Sequence, residues 1–129
     1  MLSESAITTM LPVSDVERAR RFYAEKLGLS FTTMGSDGSP IFAAGKGDAI
    51  GLMPAKDTVP SKHTVLSFEV DDVAAEIKEL EARGVRFEDY DLPDLHTENH
   101  IADMDGEKAA WFTDSEGNIL CLHQEKVSR

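Results

Sequence analysis

Hydrophobic and polar residues alternate along two stretches of the chain, Ile7 to Val13 and Thr64 to Val70. Alternation with a period of two is typical of a β-strand that has one buried face. Each stretch is followed by a segment in which apolar residues recur every three or four positions, which is the spacing of an amphipathic helix. The pattern therefore predicts a strand followed by a helix, twice along the chain.

The predicted helices have recognisable beginnings and ends. Ser14 is followed three residues later by Glu17, which has the form of a capping box, and Asp71 is the expected N-cap of the second helix. Gly28 and Gly84 come after the last apolar residues of the two helices. A residue in the left-handed conformation commonly ends a helix at this point, and glycine adopts it most easily. Each helix is therefore bounded by a polar cap and a glycine.

Three short strands are predicted after each helix. The turns between them contain Asp37-Gly38, Gly47-Asp48 and Glu116-Gly117-Asn118, which suit the backbone of β-hairpins. The predicted strands are Leu29 to Met34, Ile41 to Ala44 and Ala49 to Met53 in the first half, and Val85 to Tyr90, Ala109 to Thr113 and Ile119 to His123 in the second. The order of elements in each half is therefore βαβββ.

The two halves also resemble each other in sequence. Val13-Ser14-Asp15-Val16 is echoed by Val70-Asp71-Asp72-Val73, 57 residues later. We predict an α+β fold in which a single domain, residues 1–129, contains two modules at about residues 6–54 and 63–124. The polar segment from Leu92 to Lys108 has no counterpart in the first half, and we expect it to be either a binding lid or plain surface.

Composition excludes several kinds of partner. The 129 residues include 13 Lys and Arg against 24 Asp and Glu, which gives a formal net charge of −11. This charge repels nucleic acids and anionic membranes, and no apolar stretch approaches the ~20 residues of a membrane-spanning helix. The N-terminus lacks the features of a signal peptide, and the single cysteine forms no intrachain disulfide. We expect a cytoplasmic protein with no nucleic-acid or membrane partner.

Two phrases resemble the vicinal oxygen chelate superfamily, which includes glyoxalase I, bleomycin-resistance proteins, fosfomycin-resistance proteins and extradiol dioxygenases. They are Leu11-Pro-Val-Ser-Asp-Val-Glu-Arg-Ala-Arg-Arg-Phe-Tyr-Ala-Glu-Lys-Leu-Gly-Leu29 and Phe112-Thr-Asp-Ser-Glu-Gly-Asn-Ile-Leu120. The resemblance implies that the two βαβββ modules form a curled, mixed eight-stranded sheet, or cup, with one helix packed on each module. It also implies a homodimer, and it is compatible with a cup inside one chain or a cup shared by two chains.

Metal-dependent members of that superfamily bind a divalent ion through four protein ligands. The resemblance assigns these positions here to Thr8, to the neighbourhood of Leu52 and Met53, to Val65 and to Cys121. None of these is the His, Glu or Gln that such an ion requires. Glyoxalase, dioxygenase and fosfomycin-transferase chemistry all depend on that metal. We therefore expect no metal cofactor, and a protein that binds or sequesters a small molecule as the bleomycin-resistance branch does.

Strand alternation predicts which side chains face the cup. Trp111, the only tryptophan, would present a flat wall to a planar or aromatic ligand, and the alternative is that it fills the core or a dimer contact. The predicted ligand-binding residues are Thr8, Met10, His63, Val65, Ser67, Trp111, Cys121 and His123.

Two other functions stay open at this point. His63 and His123 could form a relocated divalent-metal site, or serve as acid and base, in a lyase or dioxygenase of the glyoxalase type. The pattern places no carboxylate beside them. His96 and His100 have an i, i+4 spacing, but their segment has little helical periodicity. Alternatively, the cup is collapsed and filled by its own side chains, and the protein has a structural or partner-binding role.

Overall fold

The computed structural model describes residues 1–126, so the last three residues of the predicted domain lie outside it. Contacts divide the chain into two compact units, one of Met1–Pro60 and a second that begins at Ser61. Each unit has a four-stranded mixed sheet and one main helix, which confirms the predicted α+β fold of two modules. Within the described residues, no helix combines the length and the apolar character needed to cross a membrane.

The first unit contains one sheet, which we call the first sheet. Its strands lie in the order β1-β4-β3-β2, in which β1 and β4 are parallel and the other neighbours are antiparallel. The elements are a 3₁₀ turn (Leu2–Glu4), β1 (Thr8–Val13), α1 (Val16–Arg21), a π-helical turn (Phe22–Lys26), β2 (Ser30–Met34), β3 (Pro40–Ala44) and β4 (Asp48–Pro54).

The second unit repeats this plan with one addition. Its main sheet, the second sheet, has the order β5-β10-β9-β8, with β5 and β10 parallel, and β6 and β7 form a separate hairpin. The elements are β5 (Thr64–Glu69), α2 (Val73–Ala82), β6 (Asp91–Leu92), β7 (Leu95–His96), β8 (Ala102–Met104), β9 (Glu107–Thr113) and β10 (Ile119–Gln124).

Each sheet has one face covered by the helical segment of its own unit. In the first sheet this face carries Leu11 and Leu52, which are 2% and 0% exposed. In the second sheet Phe112 and Leu120 are fully buried, as is Val73 at the start of α2. Because successive side chains of a strand point to opposite faces, the residues between these core positions lie on the other face. We call that side the open face of each sheet.

Both helices begin one residue later than the sequence predicts. The Asp15 side chain accepts the backbone N–H of Arg18 at 3.0 Å, and Asp72 accepts that of Ala75 at 3.1 Å. The predicted caps Ser14 and Asp71 are therefore wrong. Each phrase holds two polar candidates, and only the geometry of the first turn decides between them.

The helix ends agree with the prediction, because Gly28 and Gly84 have φ angles of 71° and 92°.

The predicted strand from Val85 to Tyr90 is wrong. The backbone of this segment meets β9 in an isolated bridge between Phe87 and Phe112 and in the hydrogen bond from Glu88 N–H to Trp111 O, 2.8 Å, rather than in a continuous ladder. The polar segment instead supplies β8, in which Ala102 pairs with Ala109 of β9. β8 pairs with the first residues of β9, 107–109, so the chain after α2 reaches this edge of β9 only further along, at Trp111 and Phe112.

Candidate ligand-binding site

The open face of the first sheet is largely apolar. Met10 and Met53 reach it from β1 and β4, are 42% and 36% exposed, and are joined there by Ile41. Thr8, also on this face, is exposed at the start of β1. Methionine side chains are flexible and polarisable, so this face can adapt its shape to an apolar surface.

Gly51 makes room for one of these methionines. It lies beside Met10 in the sheet, and a Cβ atom at Gly51 would be 2.7 Å from Met10 Sδ and 2.9 Å from Ile41 Cδ1. Both distances are shorter than van der Waals contact. The Met10 thioether therefore occupies the space that a side chain at position 51 would need.

The open face of the second sheet carries aromatic rings beside a thiol. Trp111 of β9 and Ser67 of β5 flank Cys121 of β10 in the strand register. The Tyr90 ring packs edge-on against Trp111, with ring centroids 5.6 Å apart, and burial raises the pKa of its hydroxyl. Tyr90 was absent from the predicted site: it ends the segment predicted as a strand from Val85, and its ring contact with Trp111 depends on the path that this segment takes beside β9.

Cys121 is a buried thiol rather than a reactive thiolate. It is 6% exposed, and its Sγ donates to the carbonyl oxygen of Leu122 at 3.3 Å. Burial raises the pKa of the thiol, outweighing the hydrogen bond from Ser67 that acts in the opposite direction. A neutral, buried thiol is a poor nucleophile and a poor ligand for a hard metal ion.

A row of three charged side chains crosses the same face at the level of His123. His123 Nδ1 lies 2.6 Å from Glu69 Oε1 of β5, and His123 Nε2 lies 3.0 Å from Glu107 Oε1 of β9. Ser67 Oγ donates to the other Glu69 oxygen at 3.3 Å. These two carboxylates raise the pKa of His123, chiefly through the bond to Glu69. We call Glu69, His123 and Glu107 the glutamate-histidine row.

The expectation that no carboxylate stands beside His123 is therefore wrong. Glu69 follows Ser67 by two positions on β5, so alternation alone could have placed it on the open face. Glu107 was missed because the predicted strand began at Ala109, whereas β9 begins two residues earlier.

Two clefts lie along the second unit. One, of about 360 Å³, is lined by Glu69, Val70, Asp71, His123, Gln124 and Glu125. The other, of about 350 Å³, lies between the β6–β7 hairpin and the edge strand β8. The polar segment is thus partly the wall of a cleft.

His96 and His100 do not form a helical pair. In the hairpin, His96 Nδ1 lies 3.2 Å from Asp91 Oδ1, and this bond, together with that to Glu98, raises the pKa of His96. His100 has a φ angle of 72° and approaches Glu81 of α2, with Nε2 and Oε2 3.5 Å apart.

The model of the Glyoxalase/Bleomycin resistance protein/Dioxygenase superfamily matches residues 6–122. This chain belongs to that superfamily. The match covers all the main elements of both units. A search of curated proteins found no match.

Several solved structures share the fold. TnmS3, an antibiotic binding protein from Streptomyces sp. CB03234, is 26% identical with a TM-score of 0.71, over 98% of this chain and 99% of that one. A glyoxalase/bleomycin resistance protein from the same organism is 27% identical with a TM-score of 0.67, over 93% and 100%. Lactoylglutathione lyase from Agrobacterium tumefaciens is 18% identical with a TM-score of 0.68, over 94% and 93%, and shows the fold alone.

The strand register corrects one of the positions at which the superfamily would place a metal ligand. Met10 and Ser67 are equivalent in the 57-residue repeat, and their neighbours in β4 and β10 are Gly51 and Cys121. The residue that corresponds to Cys121 is therefore Gly51, and not Leu52 or Met53. Leu52 points to the helix side and is fully buried beside Leu11.

These positions do not fit a divalent metal. They carry Thr8, Gly51, Val65 and Cys121, so none of the four positions holds an imidazole or a carboxylate, and Met10 fills the space beside Gly51. No group of three His, Cys, Asp or Glu side chains suited to a metal ion occurs in residues 1–126. We derive no metal-dependent step for this chain.

His63 and His123 are not brought together. His63 is exposed and precedes Thr64, which pairs with Ile119, whereas His123 pairs with Glu69. Because β5 and β10 are parallel, the two histidines lie at opposite ends of the strand pair: the partner of Thr64, Ile119, is already about 13 Å from His123 along β10 at ~3.3 Å per residue, and His63 lies one residue further away. The hypothesis that they form one relocated site is wrong for this geometry.

Proposed function

We propose that this member of the superfamily binds a small, planar, largely apolar molecule on the open faces of its sheets, without metal and without breaking a bond. The observation that carries the proposal is the set of side chains around Cys121. Trp111 and Tyr90 provide aromatic surface, while the neighbouring thiol is buried and neutral. Planar aromatic ligands bind well to such surfaces, because ring contacts add to the burial of apolar area.

The similarity to TnmS3 supports the same proposal. That protein binds an antibiotic, and it aligns with this chain over nearly its full length at 26% identity. Sequestration of a small molecule requires affinity but no catalytic group. The methionine face of the first sheet and the aromatic face of the second each offer apolar area.

Tryptophan fluorescence gives a direct test, because Trp111 is the only tryptophan. Planar fused-ring compounds should quench its emission and raise the melting temperature. A ligand present at 100 times its Kd stabilises a protein by about 2.7 kcal/mol. Trp111→Leu should weaken binding, measured by calorimetry, at least tenfold, and Tyr90→Phe, which keeps the ring, should change it less than threefold. Absence of binding across a broad aromatic set would reject the proposal in favour of a collapsed, structural site.

Metal content separates this proposal from an enzymatic one. Protein purified without chelator should contain far less than one equivalent of Ni, Zn, Fe or Mn, and EDTA should leave its melting temperature unchanged. Stoichiometric metal that is lost on EDTA treatment, together with a fall in stability, would contradict metal-free binding.

We also propose that residues 1–129 act as one cytoplasmic domain and pair as a homodimer, as the family resemblance implies. Sedimentation at micromolar concentration tests the assembly: a species of about twice the 14.2 kDa chain mass is expected. A monomer at all concentrations would contradict it.

A further inference from the structure

The proposed ligand face ends in the glutamate-histidine row, whose protonation follows from its hydrogen bonds. Each ring nitrogen of His123 is within bonding distance of a carboxylate oxygen. Ionised carboxylates only accept hydrogen bonds, so both bonds form together only when both nitrogens carry a proton, and the two carboxylates favour the imidazolium form of the ring. The row then has one positive and two negative groups, and its net charge is negative.

The row offers acceptors rather than donors to an incoming molecule. Both N–H groups of His123 are already used by Glu69 and Glu107, while the two glutamates are 60% and 52% exposed. Each carboxylate oxygen has two lone pairs, so the two glutamates can accept further hydrogen bonds even though Glu69 Oε2 already accepts one from Ser67. A group that donates hydrogen bonds and carries positive charge therefore fits this end of the face, whereas a carboxylate is repelled.

Neighbouring charges reinforce this preference. Asp71 and Glu125 line the same cleft as Glu69 and His123. Lys126, which follows β10, is directed to Asp105, with Nζ and Oδ2 3.7 Å apart. The surroundings of His123 on β5, β9 and the end of β10 are thus acidic.

The row also lies at a useful distance from the aromatic surface. Trp111 is in register with Cys121, which precedes His123 by two residues on β10. Two residues of a strand span about 7 Å. A fused three-ring molecule stacked beside Trp111 can therefore carry a substituent that reaches the carboxylates.

We propose that the glutamate-histidine row selects the ligand by charge, and that this protein binds planar aromatic molecules bearing a basic amine. This inference rests on the proposed function. His123 is a positioning residue in it: the imidazolium holds the two carboxylates in place and reduces their negative charge by one.

Two probes with the same ring system test this selection. 9-(Aminomethyl)anthracene carries an ammonium group and anthracene-9-carboxylate an anionic one, and anthracene fluorescence anisotropy measures the Kd of each. The wild-type protein should bind the amine at least tenfold more tightly. Equal affinity for the two probes, both lost in Trp111→Leu, would overturn the charge selection but leave the proposed function standing. Binding of neither probe would overturn both.

A series of substitutions then changes the charge of the row step by step. At about pH 5.5, below the ordinary His pKa of about 6.5, His123 keeps its charge even without its partners, and from most negative to most positive the proteins are His123→Gln, the wild type, Glu107→Gln and the double variant Glu69→Gln with Glu107→Gln. The ratio of the two affinities should fall along this series, by roughly threefold to tenfold per unit charge at such distances.

Glu79→Gln is the matched control, because Glu79 is an exposed glutamate on α2 that pairs with Arg83. It makes the same charge change away from the row and should leave the ratio unchanged. A purely structural role of the row would weaken both probes together, and a constant ratio across the series would overturn the inference.

Discussion

The open faces of the two sheets share one backbone plan but differ in chemistry. At equivalent places in the strand register the first sheet has Met10 beside Gly51, and the second has Ser67 beside Cys121. The first face is filled by a flexible thioether. The second holds a thiol, a hydroxyl and a charged row joined by hydrogen bonds. Repetition of a fold therefore preserves positions, while the residues at those positions decide what each half can recognise.

This difference suggests a division of roles in binding. Methionine surfaces provide apolar contact with little directional preference, because the side chain has several rotatable bonds. Hydrogen-bonded carboxylates impose both a direction and a sign of charge on their partner. We infer that the first face favours apolar contact of any shape and that the second discriminates between partners by charge.

The largest change in stability is expected at Gly51, where the open face of the first sheet is most crowded. Gly51→Val would place a Cβ atom 2.7 Å from Met10 Sδ, so Met10 and Ile41 must move. Overpacking of this kind lowers the free energy of unfolding by about 1–3 kcal/mol. Urea denaturation measures it. Ala43→Val, on an exposed position of the same face, is the matched control and should change stability by less than about 0.5 kcal/mol.

A double variant shows whether Met10 causes that loss. If the thioether is the obstacle, Met10→Ala should restore part of the stability of Gly51→Val. Strictly additive losses in the double variant would show instead that the crowding comes from Ile41 or from the backbone.

The repeat and the alternation were sufficient to predict the fold, but not the contacts across strands. Leu11 and Leu52 lie on the helix side and Met10 on the open side, as alternation predicts, because a one-residue register shift would expose the core. Alternation says nothing about the neighbour on the next strand. Gly51 and Glu69 therefore became meaningful only when the register placed them beside Met10 and His123.

The predictions failed where local patterns were ambiguous. Val85 to Tyr90 alternates like a strand, but β8 from the polar segment takes that place at the edge of β9. The pattern of either segment alone does not show which of the two will pair with this edge of β9. Tyr90 entered the site as a consequence, since the chain there runs beside β9 and packs its ring on Trp111.

A smaller effect tests a feature that the two units share. Asp72→Ala removes the acceptor of the Ala75 N–H and should lower the free energy of unfolding by about 1 kcal/mol. Asp71→Ala, one residue earlier, is the matched control and should change it by less than about 0.5 kcal/mol. If Asp71→Ala lowers the free energy of unfolding more than Asp72→Ala does, Asp71 is the N-cap, as the sequence predicted.

The smallest expected change in stability comes from the glutamate-histidine row, which only the second unit has, and this change depends on pH. The carboxylates of Glu69 and Glu107 raise the pKa of His123, so the folded state binds this proton more tightly than the unfolded state does. The stabilisation is therefore complete below the unfolded pKa, about 6.5, while the glutamates stay ionised, and it is lost as pH rises through the higher folded pKa. The difference in free energy of unfolding between wild type and His123→Gln should accordingly be greater at pH 6 than at pH 9. His63→Gln makes the same substitution at the exposed opposite end of the strand pair and is the matched control. If the His123→Gln difference is constant or grows with pH, the row does not hold the imidazolium between its two carboxylates.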